Sequence, residues 1–278
     1  NNGGHVGTPT LHSAAGTWNN IAISQVTLAV KPNGTLWAWG MSYQGVPFGG
    51  YPNYPQQPSG TTPGKLSSPV QVGSRTDWHQ VQNIQEAGWA QRTNGHWYAW
   101  GANRTGTGIA GGAAYSEDNI VQNGPWDLNT QMGCGQQGRS LAKSDGSLYT
   151  WGYNLYGAVG QGNSSTHLDT PVQCGNLTDW KASDSGGNQN SPILSDPTIP
   201  MGGLRGGGAL SGWLKSDGTL WTWGHNTRGS VGNGQSTQNN GNATGYDHIS
   251  SPVQIGSESW FKIAATGQDY SPTVYGLR

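Results

Sequence analysis

Short runs of alternating apolar and polar residues, broken by glycine and proline, carry the pattern of this chain, and one such run returns four times. Its first copy runs from Leu28 through Asn33-Gly34 to Trp37-Ala-Trp39-Gly40. The later copies centre on Asn94-Gly95 with Trp97 and Trp100-Gly101, on Asp145-Gly146 with Tyr149 and Trp151-Gly152, and on Asp217-Gly218 with Trp221 and Trp223-Gly224. Asn-Gly and Asp-Gly are the dipeptides of a two-residue type I′ turn, so each copy predicts a tight β-hairpin. After the turn, Leu36 and Ala38 fall on one face of a strand and Trp37 and Trp39 on the other. Apolar groups on both faces predict strands that lie between neighbouring layers of structure, with Trp37, Trp39, Trp97, Trp100, Tyr149, Trp151, Trp221 and Trp223 as the repeated core.

Further runs fall at fixed places around each hairpin. Ser68-Pro-Val-Gln-Val-Gly73, Thr170-Pro-Val-Gln-Cys-Gly175 and Ser251-Pro-Val-Gln-Ile-Gly256 each read as a strand, and each is followed by a tryptophan at Trp78, Trp180 or Trp260. Trp18 and Trp126 hold the same place. The Trp-Gly glycines at 40, 101, 152 and 224 are spaced by about the length of a four-stranded blade with one variable loop. Residues 1–17 read as an arm without periodicity. The repeats then run over about 18–67, 68–117, 118–169 and 170–250, with a partial fifth over 251–278. Extra length between the Trp-Gly and Pro-Val-Gln runs, and over 183–208, maps to loops on one rim, a natural place for binding.

One long loop, 41–67, carries Tyr43, Phe48, Tyr51 and Tyr54 among five prolines. Proline at this density excludes a central strand. Stiffened aromatic side chains of large area favour an interface, so these four residues are the candidate binding positions.

Composition narrows the function classes. Charged residues make up 10% of the chain, against about 25% in ordinary soluble domains. Disordered chains share low hydrophobicity but lack aromatics, and this chain has 14 tryptophans. A net charge of −1 and the absence of any Lys/Arg run argue against nucleic acid or an anionic membrane as partner. No apolar run approaches the ~20 residues that span a bilayer as a helix. Cys134 and Cys174 occupy different places in their repeats and read as two buried free thiols in preference to a disulfide.

Candidate chemistry is sparse. Asp145 and Asp217 form turns, while Asp77, Asp127 and Asp179 flank the leading tryptophans. The seven histidines show no metal-ligand spacing, and no nucleophile elbow or phosphate loop is present. The expectation is therefore a protein without catalytic residues, cofactor or metal.

The sequence Lys143 to Asn154 with Gly157-Ala-Val-Gly160, and Lys215 to Asn226 with Gly229-Ser-Val-Gly232, resembles the repeat of the regulator of chromosome condensation family. The resemblance spans about 18–278. It implies an all-β propeller of four-stranded blades, here four full repeats and a partial fifth. Family repeats usually carry a Gly-x-x-His before the hairpin, and the matching positions here are Val26, Ala87, Gly138 and Leu210. The founding member is a nucleotide-exchange factor for a small GTPase, an activity that fold alone does not transfer; bacterial and viral members, binding proteins among them, are the nearer precedent. The expected function is a structural and interaction module that presents rim loops to a protein partner or to neighbouring subunits, in an extracellular or virion surface assembly. A glycan-binding lectin and a guanine-nucleotide exchange factor are the alternatives.

Overall fold

A computed structural model of the chain describes residues 17–23, 26–42, 64–84, 87–101, 121, 123–128, 132–134, 138–154, 156–164, 167–181, 210–226, 229–235, 248–266 and 273–278. All sixteen regular elements among them are β-strands. The first sheet is an antiparallel meander of β1 (Asn20–Ile23), β2 (Val26–Val30), β3 (Leu36–Ser42) and β4 (Gly64–Gln71). The second holds β5 (Trp78–Ile84), β6 (Ala87–Arg92) and β7 (Trp97–Gly101). The third is built from β8 (Gly133–Cys134), β9 (Gly138–Ala142), β10 (Leu148–Gly152) and β11 (Leu168–Gln173). The fourth contains β12 (Leu210–Leu214), β13 (Thr219–His225) and β14 (His248–Ser259), and the last pairs β15 (Lys262–Thr266) with β16 (Thr273–Leu277).

The Pro-Val-Gln run pairs backwards in each case. Gln71 lies opposite Trp37, Gln173 opposite Tyr149 and Gln254 opposite Trp221. Each run thus forms the outer strand of the hairpin before it, and the sheet is out of phase with the sequence repeat. Pro69, Pro171 and Pro252 sit on these edge strands, where a missing N–H costs no ladder bond and blunts the open edge.

The hairpins depart from the expected turn. Gly34 N donates to Lys31 O at 2.9 Å and Lys31 N to Thr35 O at 3.0 Å, and the pair of bonds recurs at Arg92, Lys143 and Lys215. The loop has three residues, a type I turn followed by glycine in the left-handed region, with Gly34, Gly95, Gly146 and Gly218 at φ between 77° and 85°. Asn33, Asn94, Asp145 and Asp217 keep negative φ, so no type I′ turn forms. The physical reason is that the Asx side chain accepts from the backbone two residues on: Asn33 Oδ1 from Thr35 N at 3.2 Å, and Asp145 Oδ1 from Ser147 N at 2.8 Å. That Asx bond holds the type I turn and leaves a single left-handed position for glycine.

Trp-Gly faces a β-bulge in the outer strand. Pairing of the third strand with the outer strand skips Trp39, Trp151 and Trp223. The glycine after each takes φ between 105° and 112°. The extra residues lie on the outer strand, where the three residues between Leu66 and Val70, Leu168 and Val172, and Ile249 and Val253 stand against the single tryptophan, and they bend that strand around the Trp-Gly; Trp151 and Trp223 are fully buried. Trp97 and Trp100 are equally buried, whereas Trp37, Trp39, Tyr149 and Trp221 are half-buried.

Successive sheets are stitched at one recurring bond. The N–H of Trp78, Trp126, Trp180 and Trp260 donates to the carbonyl of Gly34, Gly95, Gly146 and Gly218, respectively, at 2.8 to 3.1 Å. Each leading tryptophan then packs edge to face on its own hairpin: Trp78 on Tyr98, Trp126 on Tyr149, Trp180 on Trp221. Second strands β2, β9 and β12 are buried along their whole length. Layers on both faces explain why they do not alternate.

A second clamp follows Trp-Gly. Asn154 Oδ1 accepts from Val159 N and its Nδ2 donates to Asn163 O; Asn226 does the same with Val231 N and Gln235 O. Both asparagines are about 1% exposed. Replacing Asn226 by leucine leaves a backbone N–H and a carbonyl without that partner, at an expected cost of about 1–3 kcal/mol, read by urea denaturation.

Candidate interaction surface

Antiparallel meanders sort the connections onto two rims. The hairpin tips and the joints to the next sheet lie on one; the loops between third and outer strands emerge on the other. Ser42 pairs with Gly64 at the mouth of the loop that carries Tyr43, Phe48, Tyr51 and Tyr54. Those four residues lie outside the described residues.

On the hairpin rim a cation sits over one or both of the aromatic rings in each repeat. Lys31 Nζ is 3.9 Å from the centre of the Trp37 ring and 5.2 Å from that of Trp18. Lys143 lies over Trp126 and Tyr149, Lys215 over Trp180 and Trp221, and Arg278 over Trp260. Arg92 lies over Tyr98. Acids complete these stations: Asp77 pairs with Arg92, Asp179 with Lys215 at 3.1 Å, and Glu258 with Arg278 at 3.4 Å. Asp127 accepts from Ser144 N at 2.7 Å. The carboxylates of the repeats are thus occupied in joining one hairpin to the next.

Asp145 is held below its ordinary pKa first by the Ser147 hydroxyl and then by the Ser147 N–H. Asp217 is lowered first by the Thr219 N–H and then by the Thr219 hydroxyl. A carboxylate lowered in the folded state stabilises it above the ordinary value of about 3.9, and that contribution disappears as pH falls through the lower, folded-state value. The Asp145→Asn/Asp217→Asn double variant keeps the Asx bond, as Asn33 and Asn94 do, but has no proton to take up. It should lose less stability than the parent between about pH 5 and pH 2, as read by thermal melts across that range.

The outer flank between the third and fourth sheets opens into a cleft of about 330 Å³. Gly160, Gln161, Leu177, Trp180, Trp221 and Pro252 border it, and none of its lining side chains is charged. Leu177 is 45% exposed. Trp221 is half-buried and its indole N–H is occupied by Thr219 Oγ1 at 3.1 Å. The cleft exists because the Gly157 to Gly162 loop crosses onto the fourth sheet: Gly162 N donates to Ser250 O at 2.8 Å. Ala158 O accepts from Trp223 Nε1 at 2.9 Å and from Ser211 Oγ at 2.7 Å. Cys174 lines the inner end as a free, buried thiol, its pKa pushed up to about 11 by burial. That thiol stays protonated and unreactive near neutral pH.

Sequence reasoning passed over the cleft. The signal was Leu177, an apolar residue in a connector whose equivalent in Gly73-Ser-Arg75-Thr-Asp-Trp78 is Arg75. Among the described residues no group of three or more His, Cys, Asp or Glu is arranged to hold a metal.

Comparison with known proteins agrees with this architecture. The Regulator of chromosome condensation (RCC1) repeat matches residues 145–190 and 217–272. An X-linked retinitis pigmentosa GTPase regulator homolog from Caenorhabditis elegans is 32% identical over 108 residues, 37% of this chain and 8% of that protein. The crystal structure of human WBSCR16 superposes with a TM-score of 0.57 at 14% identity, over 94% of this chain and 59% of that one. Yeast RCC1 (Prp20) bound to Kap60 gives 0.53 at 14% identity, over 87% and 50%. Prp20p from Saccharomyces cerevisiae, in a structure reported with its binding to Gsp1p and histones, gives 0.50 at 14% identity over 91% and 67%. The chain therefore spans a small part of that curated relative and about half to two thirds of the solved structures. With hairpin, bulge, stitch and clamp recurring as above, the chain matches the regulator of chromosome condensation repeat over residues 145–190 and 217–272 and has the β-propeller fold of the proteins built from such repeats.

Proposed function

We propose that the chain is a non-catalytic propeller module that meets a protein partner through its outer flank and rim loops, in an extracellular or virion surface assembly. The observation that supports this reading is the uncharged flank cleft, which leaves Leu177 and one part of Trp221 uncovered. Exposed apolar side chains beside a half-buried tryptophan are the usual anchors of an interface. The acids that could serve catalysis at the same repeats are bonded into the framework instead. Low charge and scarce lysine favour an assembly surface over a soluble enzyme.

A photo-crosslinking amino acid placed at Leu177 or Val172 should yield one discrete protein adduct in the native setting. The same group at Ser144, on a hairpin tip, should yield none. Turnover of any substrate that a single carboxylate substitution abolishes would sink the reading, as would the absence of an adduct from both flank positions. Glycan binding draws on one separate observation, the half-buried cluster of Trp18 with Trp37 and Trp39 at 6.2 and 5.5 Å. A glycan array without hits removes it.

A further inference from the structure

We infer that the outward face of the first sheet, crowned by Lys31, binds an acidic and apolar peptide segment of a partner protein, whose carboxylate pairs with the Lys31 ammonium. The inference rests on the interaction reading above and names what the partner carries.

Strand register defines the face. Ile21 lies opposite Ala29 and Ala29 opposite Trp37; Ile23 lies opposite Thr27 and Thr27 opposite Trp39. Residues directly opposite share one face of a sheet. The alternate row, Ala22, Leu28 and Ala38, packs with Trp78 and Trp100 of the second sheet, so the rows that hold Trp37 and Trp39 point away from it. In the fourth sheet the corresponding rows hold Trp221 and Trp223, and Trp223 is wholly buried against Ala158 of the sheet before. In the first sheet Ile21 and Ile23 stay 38% and 39% exposed, and Trp37 and Trp39 are half-buried. Trp18 joins them, its ring centre 6.2 Å from that of Trp37 and 5.5 Å from that of Trp39. Apolar side chains left uncovered together on one face mark an interaction site.

Charge selects the occupant. At four of the five stations an acid stands within two residues of the leading tryptophan: Asp77, Asp127, Asp179 and Glu258. Three of them pair with the cation, and Asp127 holds the turn beside it by accepting from Ser144 N. Around Trp18 the corresponding residues are Gly16, Thr17 and Asn19, and residues 1–76 contain Lys31, Lys65 and Arg75 but no Asp or Glu. Lys31 therefore sits 3.9 Å over the centre of the Trp37 ring with no carboxylate partner among the described residues. The fourth station shows the complete arrangement: Lys215 lies 4.3 Å over Trp221 and takes Asp179 at 3.1 Å. A carboxylate brought by a ligand would complete the first in the same way, with an ammonium held between a ring and an acid.

The surroundings decide between ligands. A sugar needs a bare ring face and hydrogen-bonding neighbours, whereas Lys31 covers the Trp37 ring and the rows beside it are apolar apart from Thr27, which is buried. Aliphatic or aromatic side chains next to the acid of a peptide would bury Ile21 and Ile23 instead. A second copy of this chain supplies no acid from its described residues, because each is already engaged within it. The partner is thus a different protein.

A phage-displayed library of random peptides panned on the intact chain tests the site. Enriched peptides are expected to carry an Asp or Glu beside leucine or an aromatic residue. A labelled synthetic copy of the most enriched peptide, followed by fluorescence anisotropy, should bind at least tenfold more weakly when its acid is changed to the amide, a change that leaves the protein untouched. The same loss is expected for Lys31→Met, which keeps an unbranched stem over the ring and removes the charge, and for Ile21→Ser/Ile23→Ser. Added salt should weaken binding to the parent and not to Lys31→Met. No enrichment, enriched peptides without an acid, or unchanged affinity for the amide peptide or for Lys31→Met would each overturn the inference. A uronic- or sialic-acid glycan bound by the parent and lost in Lys31→Met, without peptide enrichment, overturns the peptide and gives the station to an acidic sugar. A protein adduct at Leu177 with no enrichment sinks this inference alone; turnover abolished by a carboxylate substitution sinks the module reading and leaves the peptide site standing.

Discussion

Gly146→Ala is expected to destabilise the protein by about 2–5 kcal/mol, although it adds only one methyl group, at the buried glycine of a hairpin turn. Two costs add. Gly146 has a φ of 79°, and an L side chain in the left-handed region costs about 1–2 kcal/mol. Its new Cβ would also lie 2.0 Å from Thr178 O, a backbone atom that the stitch from Trp180 N to Gly146 O holds in place. Relieving that overlap means parting the third sheet from the fourth, for which overpacking costs of about 1–3 kcal/mol are the guide. Gly175→Ala is the control. Its φ is 66° and its Cβ would meet nothing within 4 Å, so only the backbone cost of about 1–2 kcal/mol remains. Urea denaturation of the two variants side by side separates the effects, and equal losses would show that the stitch carries no tension between sheets.

Trp223→Ala should cost about 4–6 kcal/mol. The indole is fully buried, and truncating a buried aromatic to alanine costs about 3–5 kcal/mol. Trp223 adds a bond between sheets, Nε1 to Ala158 O at 2.9 Å, worth about 1 kcal/mol. Gly160 lies so close beneath the ring that a Cβ there would sit 2.7 Å from Nε1, which leaves the neighbouring loop little to fill the cavity with. Trp151 holds the same place in the third sheet and is equally buried, but its Nε1 has no hydrogen-bond partner among the described residues. Trp151→Ala should therefore cost about 1 kcal/mol less than Trp223→Ala. A loss under ~1 kcal/mol at either position would contradict its burial.

How much of this was legible in the sequence depends on how far apart the interacting residues lie. The hairpins, the Pro-Val-Gln strands and the leading tryptophans were readable because period-2 alternation and Asx-Gly are written within a dozen residues. The turn type was not. Asn-Gly and Asp-Gly suit both a type I′ turn and a type I turn with a left-handed glycine, and what separates them is the Asx bond to Thr35, His96, Ser147 or Thr219. The irregular pairing at Trp-Gly was not readable either, because the strand that bulges around it is the Pro-Val-Gln run many residues later. The aromatic candidates Tyr43, Phe48, Tyr51 and Tyr54 came from composition alone. Leu177, the residue that opens the cleft, was hidden because an apolar side chain in a short connector has no periodicity to betray it.

The sequence by itself determined that this protein is a series of like β-hairpins with aromatic strands, since turn chemistry and strand alternation are local and repeat four times. Only the tertiary structure decided which tryptophans are core and which are surface. Trp37 and Trp39 have nearly the same local sequence as Trp221 and Trp223, with Asn33 for Asp217 and Ala38 for Thr222, yet Trp39 is half-buried and Trp223 wholly buried. The difference is the neighbouring sheet: Trp223 meets Ala158 and Gly160 of the sheet before it. The flank cleft arises in the same way, from a glycine loop of one sheet crossing onto the next, a contact between residues some ninety apart that no local pattern records.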